Sequence, residues 1–180
     1  MQTSLRRLVA AFTLTLLLAA PAAGRSLDPD NTLVMELKCG KVLIALRPDV
    51  APGHVERIKK LTRERFFDGI IFHRVIEGFM AQTGDPTGTG MGGSQYPDLK
   101  AEFSGEHYQR GTVGMARSSS PDSANSQFFI MFAEGGFLDG KYTVWGEVAD
   151  GMECIDQINR GEPPANPDKI ISMTVMKDIQ

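Results

Sequence analysis

The sequence contains few residues of the kinds that carry metal or covalent chemistry. Its 180 residues include two cysteines and three histidines, His54, His73 and His107, and these form no His-x-x-x-His or Cys-x-x-Cys pattern. Two thiols are too few for a disulfide scaffold or a four-thiolate zinc site. A metal enzyme is therefore not indicated, and the prediction is that the protein uses no cofactor.

A strong charge of one sign is also lacking. The net charge is -3, which argues against a nucleic-acid-binding protein that relies on a basic surface. Hydrophobic residues make up 42% and charged residues 23%, which is ordinary globular composition. The 19 glycines and 10 prolines predict many turns and argue against a helical bundle. The length suits one domain with a processed leader, and nothing indicates more than a monomer.

The first 24 residues have the three-part pattern of a secretory signal peptide. Arg6 and Arg7 precede the uncharged, mostly apolar run Leu8–Ala20, and small residues at 22–24 offer the cleavage site. The alternative, a membrane anchor, needs about 18–20 apolar residues, and the run is shorter. The sequence thus predicts an exported protein without stable membrane association. The periplasm is the first expectation if the source has two membranes, and full secretion is the alternative. Loss of the two arginines would change the net charge from -3 to -5.

The two cysteines lie far apart in the sequence. An exported compartment permits a disulfide, and Cys39 and Cys154 are the only candidates. Closing so long a loop would stabilise the fold by up to about 4–5 kcal/mol in the chain-entropy model. The sequence does not place the thiols together, so a disulfide and two free buried thiols are both open.

Short apolar segments separated by turn signals predict a mostly β domain over residues 25–180. A helix is expected to begin near Pro52, because Val55, Ile58 and Leu61 follow at helical spacing. About eight strands and two helices favour a closed eight-stranded antiparallel barrel capped by the two α-helices. The remaining predicted elements are a hairpin within 31–47, a strand pair in 70–82, single strands in 112–117, 127–133, 142–148 and 170–179, and a second helix in 152–160.

Three motifs point to other chemistry but lack its context. Gly88–Gly93 matches G-x-G-x-x-G, yet Ser-Gln-Tyr-Pro follows it instead of a helix start, so a loop is preferred over a nucleotide site. Ser118–Ser120 has no Gly-x-Ser-x-Gly elbow, which argues against a hydrolase triad. A lone histidine in a strand, His73, is predicted to be structural.

The informative segment is FHRVIEGFMAQTGD at 72–85, in which Arg74 stands on an otherwise apolar strand. Placing a cation among apolar side chains costs free energy unless the cation has polar or charged partners. SQFFI at 126–130 and FLDGKY at 137–142 follow in order. With these motifs the sequence resembles the cyclophilin family of peptidyl-prolyl cis–trans isomerases, from about Thr32 to the C-terminus. The family fold, an eight-stranded antiparallel barrel closed by two helices, agrees with the elements predicted above.

The resemblance implies a site that binds proline-containing polypeptides. Arg74 is expected to be catalytic, through a hydrogen bond to the prolyl nitrogen, and Gln82 is expected to act with it beside the substrate backbone. The other expected binding residues are Phe79, Met80, Phe129 and Leu138 around the proline ring, Phe137 and Tyr142 beside them, Gln127 near the substrate backbone, and Ala116, Arg117 and Ser118 along the groove for the residue before proline.

Three positions depart from the better-known eukaryotic pattern and resemble bacterial members. Phe137 replaces a tryptophan, Tyr142 a histidine and Arg117 an asparagine. The tryptophan position contributes a hydrogen bond to cyclosporin, so weak sensitivity to that drug is expected. The predicted function is isomerisation of X-Pro bonds in exported proteins. The alternative is a peptide-binding module or holding chaperone with incidental isomerase activity.

Overall fold

The computed structural model describes residues 26–179. The predicted leader, residues 1–24, lies outside this range. Within the described range no helix has the length and apolar character to cross a bilayer. The strands are β1 Thr32–Glu36, β2 Lys41–Leu46, β3 Arg74–Ile76, β4 Met80–Thr83, β5 Thr112–Met115, β6 Phe128–Met131, β7 Val144–Asp150 and β8 Ser172–Val175, and the helices are α1 Pro52–Arg63 and α2 Met152–Asp156.

All eight strands join one antiparallel sheet in the order β3-β4-β6-β5-β7-β2-β1-β8. The prediction of eight antiparallel strands and two helices is confirmed. The second helix and the last strand are shorter than predicted, because α2 ends at Asp156 and a 3-10 helix, Met176–Asp178, follows β8.

The prediction of a closed barrel is wrong, because the sheet is an open half-barrel. No ladder joins its two edge strands, β3 and β8. The segment before β8 makes two isolated bridges to the region of β3, from Lys169 to Ile71 and from Gly161 to Val75. Strand β3 has only three residues, so it offers little edge for pairing. The segment before β8 cannot form a regular ladder, since proline has no N–H to donate and three occur there: Pro163, Pro164 and Pro167.

The main hydrophobic core fills the concave side of the sheet. Strand alternation sends Val75, Ala81, Phe128 and Ile130 into it, where helix α1 packs and Trp145 is fully buried. Helix α1 begins without a local side-chain cap. The Glu102 carboxylate instead accepts the N–H groups of its first turn, from residues 53 and 54, at 3.0 and 2.9 Å. That arrangement ties the 84–111 connection to the helix.

The two cysteines form a disulfide. Cys39 and Cys154 have Cα atoms 5.4 Å apart and are 115 residues apart in the sequence. The bond joins the turn between β1 and β2 to helix α2. This settles the choice that the sequence left open between a disulfide and two free thiols.

Candidate active site

Strand pairing gathers the polar and apolar site residues on the outer face of the sheet. Arg74 on β3 is opposite Gln82 on β4, and Gln82 is opposite Phe129 on β6. Met80 lies two residues before Gln82, so it shares that face. The alternating neighbours of these residues point into the main core. The two-residue period of the strands therefore places a cation and an amide beside large apolar side chains.

The floor of the site is a second, smaller hydrophobic cluster. Met80, Phe129 and Leu138 are buried in it. Tyr108 stacks under Phe129 with ring centroids 5.7 Å apart. Gly114 lies opposite Phe129, where a Cβ would stand 2.6 Å from the Phe129 ring. The glycine is thus required for the close stacking that supports the floor.

Ten of the twelve predicted site residues line one cavity of about 400 Å³. Its walls mix an apolar half with an edge that carries Arg74, Gln82 and Arg117. This composition suits a small apolar ring held beside a polar backbone. The ten residues are Arg74, Phe79, Met80, Gln82, Ala116, Arg117, Phe129, Phe137, Leu138 and Tyr142.

A second cavity of about 460 Å³ adjoins the first. The two cavities share Gln82, Ala116 and Arg117, and the remaining predicted residues, Ser118 and Gln127, line the second. The glycine-rich loop at 90–93 forms another of its walls. All twelve predicted residues therefore lie along one continuous groove.

Arg74 is held at one point of its guanidinium group. Its Nε donates a hydrogen bond of 2.8 Å to the Glu162 carboxylate, and its side chain is 43% exposed. In the described chain no residue accepts a hydrogen bond from its terminal amino groups. The arginine thus lines the cavity with donors available to a ligand.

A relay of amides fixes Gln82. Its Nε2 donates to Oε1 of Gln127 at 2.9 Å. Nε2 of Gln127 in turn donates to the carbonyls of Gly90 and Gly92, at 3.0 and 2.8 Å. Because two carbonyls set the orientation of Gln127, its oxygen must face Gln82, which leaves the side-chain oxygen of Gln82 as a possible acceptor for a ligand.

The glycine-rich loop is organised by Asp85. The carboxylate accepts backbone N–H groups from Thr87, Gly90 and Gly92, at 2.7, 2.6 and 3.1 Å, and the Thr87 hydroxyl at 2.8 Å. Burial opposes the charge, but these donors outweigh it and lower the pKa of Asp85 to about 2. The loop is therefore built around an internal anion, and no helix follows its glycines as a nucleotide site would require.

The three positions that depart from the eukaryotic pattern meet at the outer rim. The Arg117 guanidinium lies 4.3 Å from the centre of the Tyr142 ring and donates to the Lys141 carbonyl at 2.8 Å. Phe137 is 63% exposed and leans on Phe79, with ring centroids 5.5 Å apart. The rim is thus aromatic and cationic, and Phe137 presents no hydrogen-bond donor there.

Sequence reasoning missed three contributors to the site: Tyr108, Asp85 and Glu162. Asp85 ended the quoted motif, but nothing in its pattern indicated that it bonds the loop after it. Tyr108 and Glu162 stand outside every motif and reach the site only through the tertiary fold.

The remaining candidates form no alternative catalytic site. The Ser118 hydroxyl bonds Ser123 at 2.7 Å and no histidine. His73 lies just before β3 rather than in a strand; it is buried, neither ring nitrogen has a hydrogen-bond partner among the described residues, and burial lowers its pKa. Within residues 26–179 no group of three or more His, Cys, Asp or Glu is placed to hold a metal. The absence of a cofactor stays a prediction.

Comparison with known proteins agrees with this architecture. A family model described as cyclophilin type peptidyl-prolyl cis-trans isomerase/CLD matches residues 32–175. A probable peptidyl-prolyl cis-trans isomerase of Brucella suis is 51% identical, with 95% of each chain covered. Peptidyl-prolyl cis-trans isomerase-like 3 of Rattus norvegicus is 38% identical over 72% of this chain and 82% of its own.

Solved structures give the same result. The crystal structure of cyclophilin AquaCyp293 from Hirschia baltica superposes with a TM-score of 0.80 at 31% identity, covering 87% of this chain and 77% of its own. A Cryptosporidium parvum cyclophilin type isomerase, crystallised in the presence of the dipeptide ala-pro, gives 0.74 at 27% identity, covering 80% and 98%. The chain described here belongs to the cyclophilin family and is a peptidyl-prolyl cis-trans isomerase.

Proposed function

We propose that the chain accelerates rotation about X-Pro bonds by binding the twisted amide more strongly than the planar one. Amide rotation faces a barrier of about 18–20 kcal/mol because the C–N bond has double-bond character. As the bond twists, resonance is lost and the prolyl nitrogen becomes a better acceptor. The terminal amino groups of Arg74, at the edge of the cavity and without a described partner, are the donors proposed to reach that nitrogen.

The apolar half of the cavity is proposed to hold the proline ring. Met80, Phe129 and Leu138 are buried at its base, so a ring seated on them would displace water from the reacting bond. Water stabilises the polar planar amide, and its removal raises the ground state relative to the less polar twisted state. The free oxygen of Gln82 and the groove at Ala116 and Arg117 are proposed to hold the backbone on either side.

The required acceleration is within reach of these interactions. Uncatalysed exchange takes on the order of 10–100 s. Reaching a typical enzymatic rate of about 10–10³ s⁻¹ requires roughly 3–7 kcal/mol of transition-state stabilisation. One charge-assisted hydrogen bond from Arg74 contributes about 1.5–3 kcal/mol, and loss of water and positioning of the ring contribute the rest. No covalent intermediate or proton transfer is needed.

The single observation that carries this proposal is the position of Arg74, a half-exposed cation with unpaired donors at the edge of an apolar cavity. The test is NMR exchange spectroscopy on a short Ala-Pro peptide with the wild-type chain and Arg74→Ala. Exchange should be fast with the wild type and fall at least about tenfold in the variant, as loss of one charged hydrogen bond predicts. Arg63→Ala, which removes an arginine on α1, should retain the wild-type rate. Equal rates for all three chains would refute the role of Arg74.

The proposed clients are exported proteins whose folding is limited by X-Pro isomerisation, met by a monomeric enzyme in the periplasm. The signal-peptide pattern of residues 1–24 supports export, and the Cys39–Cys154 disulfide supports an oxidising compartment. Expression of the full chain in a double-membraned bacterium tests this. A periplasmic product that begins near residues 22–24 is expected, and an uncleaved cytoplasmic product would contradict it.

A holding-chaperone role is the second candidate. Phe137 and Met91, which line the two cavities, are 63% and 90% exposed, and exposed apolar groups of this kind can retain unfolded chains. Suppression of client aggregation that is equal in wild type and Arg74→Ala, with no catalysed exchange by either, would favour this role over the enzymatic one.

A further inference from the structure

The contact that holds Arg74 comes from outside the sheet, from a segment that bridges to the edge strand β3. Glu162 belongs to the segment between α2 and β8, and its carboxylate accepts the Nε–H of Arg74 at 2.8 Å. We infer that Glu162 is a positioning residue for the isomerase: it fixes the guanidinium through Nε and leaves both terminal amino groups for the prolyl nitrogen. The inference rests on the proposed role of Arg74.

The fold brings Glu162 to this place by a short antiparallel pairing. Val75 and Gly161 exchange both backbone hydrogen bonds, each 2.8 Å long. In an antiparallel pair, the residue after Gly161 stands beside the residue before Val75, which sets Glu162 next to Arg74. Gly161 has φ +148°, and a Cβ there would lie 2.5 Å from Pro164, so only glycine fits this pairing.

The other side of the pairing is fixed as well. The Nε of Arg160 donates to the Glu77 carboxylate at 2.6 Å, and the Arg160 guanidinium lies 4.3 Å from the centre of the Phe132 ring. Residues 160, 161 and 162 are thus each tied to strand β3 or to the turn after it. The backbone that carries Glu162 is held independently of the ion pair that Glu162 makes.

Stability does not account for the Arg74–Glu162 pair. The two side chains are 43% and 53% exposed, and ion pairs as exposed as this contribute little to folding. Geometry is a better explanation, because a guanidinium is planar and its donors have a fixed fork. Binding of one donor orients the others, so rotamer freedom is lost before the substrate arrives rather than during the reaction. The effect should therefore appear in the rate within the complex and not in affinity or unfolding.

The test compares Glu162→Ala and Glu162→Gln with the wild type. NMR line shapes of an Ala-Pro peptide give the exchange rate in the complex and the dissociation constant separately. Glu162→Ala should lower the exchange rate about five- to twentyfold, since misplacement of a catalytic group by about 1 Å costs up to about a hundredfold. The dissociation constant should change less than twofold. Glu162→Gln should recover most of the rate, because an amide oxygen also accepts from Nε.

A spectroscopic signature and a matched control complete the design. The ¹⁵Nε–¹Hε signal of Arg74, assigned by its loss in Arg74→Ala, should shift and exchange faster with water in Glu162→Ala. Asp178→Ala is the control, because Asp178 accepts from Nε of Arg63 at the same 2.8 Å on the surface, away from the groove. It should leave the peptide exchange unchanged.

The outcomes separate the two proposals. If Arg74→Ala slows exchange but Glu162→Ala does not, or if Glu162→Ala speeds it, the positioning role is refuted while the role of Arg74 stands. If Arg74→Ala has no effect, the proposed function itself fails. In the Arg74→Ala background, a further loss on Glu162→Ala would show that Glu162 acts by another route and would also overturn the inference.

Discussion

Replacement of Asp85 by asparagine should destabilise the fold through the glycine-rich loop. Asp85 is 1% exposed, and its two oxygens accept three backbone N–H groups, the Thr87 hydroxyl and, at 3.5 Å, the Thr89 hydroxyl. An amide has one acceptor oxygen and an NH₂ group in place of the second. Asp85→Asn would therefore leave at least one buried backbone N–H without an acceptor, and the new NH₂ group would face that N–H.

The pKa of Asp85 sets the size of the effect. Lowering it from 3.8 to about 2 corresponds to about 2 kcal/mol of folding stability, since one pKa unit is about 1.4 kcal/mol. A donor left unpaired costs a further 1–3 kcal/mol, roughly, and part of this overlaps the first figure. The expected loss for Asp85→Asn at pH 7 is about 2–4 kcal/mol.

The pH dependence gives the sharper test. The pKa is lower in the folded state than in the unfolded chain, so the carboxylate contributes fully above about pH 4 and loses its contribution as the pH falls through about 2. The difference between wild type and Asp85→Asn should therefore shrink below pH 4.

Urea unfolding followed by fluorescence of Trp145, the one tryptophan, measures this difference from pH 7 to pH 2.5. The control is Asp122→Asn, because Asp122 is exposed and, among residues 26–179, accepts only the N–H of Ala101. It should change stability by less than about 0.5 kcal/mol. A loss below about 1 kcal/mol for Asp85→Asn at pH 7, or one that does not diminish in acid, would refute the reasoning.

Three further predictions concern the floor, the disulfide and the rim. Gly114→Ala should cost about 1–3 kcal/mol by overpacking against Phe129, and should slow peptide exchange; unchanged unfolding and exchange would contradict the packing argument. The double variant Cys39→Ala with Cys154→Ala should have a free energy of unfolding lower by up to about 4–5 kcal/mol, given the 115-residue separation, as measured by urea unfolding at pH 7. A loss under about 1 kcal/mol would count against the loop-entropy account. Cyclosporin should inhibit weakly because Phe137 offers no donor. Phe137→Trp should strengthen inhibition at least about tenfold, which corresponds to about 1.4 kcal/mol of binding free energy, whereas tight inhibition of the wild type would contradict this expectation.

Elements with a local signal could be predicted from the sequence. The hairpin of β1 and β2 and the apolar face of α1 each follow from periodicity and turn residues. Barrel closure could not be predicted in this way, because it depends on two edges that meet across the molecule. The prolines at 163, 164 and 167 argue against a regular ladder, but only the tertiary fold shows that they lie between the two bridges that join this segment to Ile71 and Val75.

The site residues likewise include some that the sequence predicts and some that only the tertiary fold reveals. Residues within motifs, such as Arg74 and Gln82, could be predicted because the resemblance carries them. Glu162 could not, since its contact requires the long-range pairing of Val75 with Gly161. The role of Asp85 was equally hidden, because a carboxylate that bonds the backbone of a following loop leaves no periodic or spacing signal.

The central claim is that Arg74 binds the twisted amide more strongly than the planar one. The most direct measurement is the effect of Arg74→Ala on exchange within the complex, set against its effect on the dissociation constant of the same Ala-Pro peptide. The account predicts a fall in exchange of at least about tenfold with a change in affinity below about threefold, as differential binding requires. A loss of affinity with an unchanged exchange rate within the complex would show that Arg74 only binds the substrate, and would contradict it.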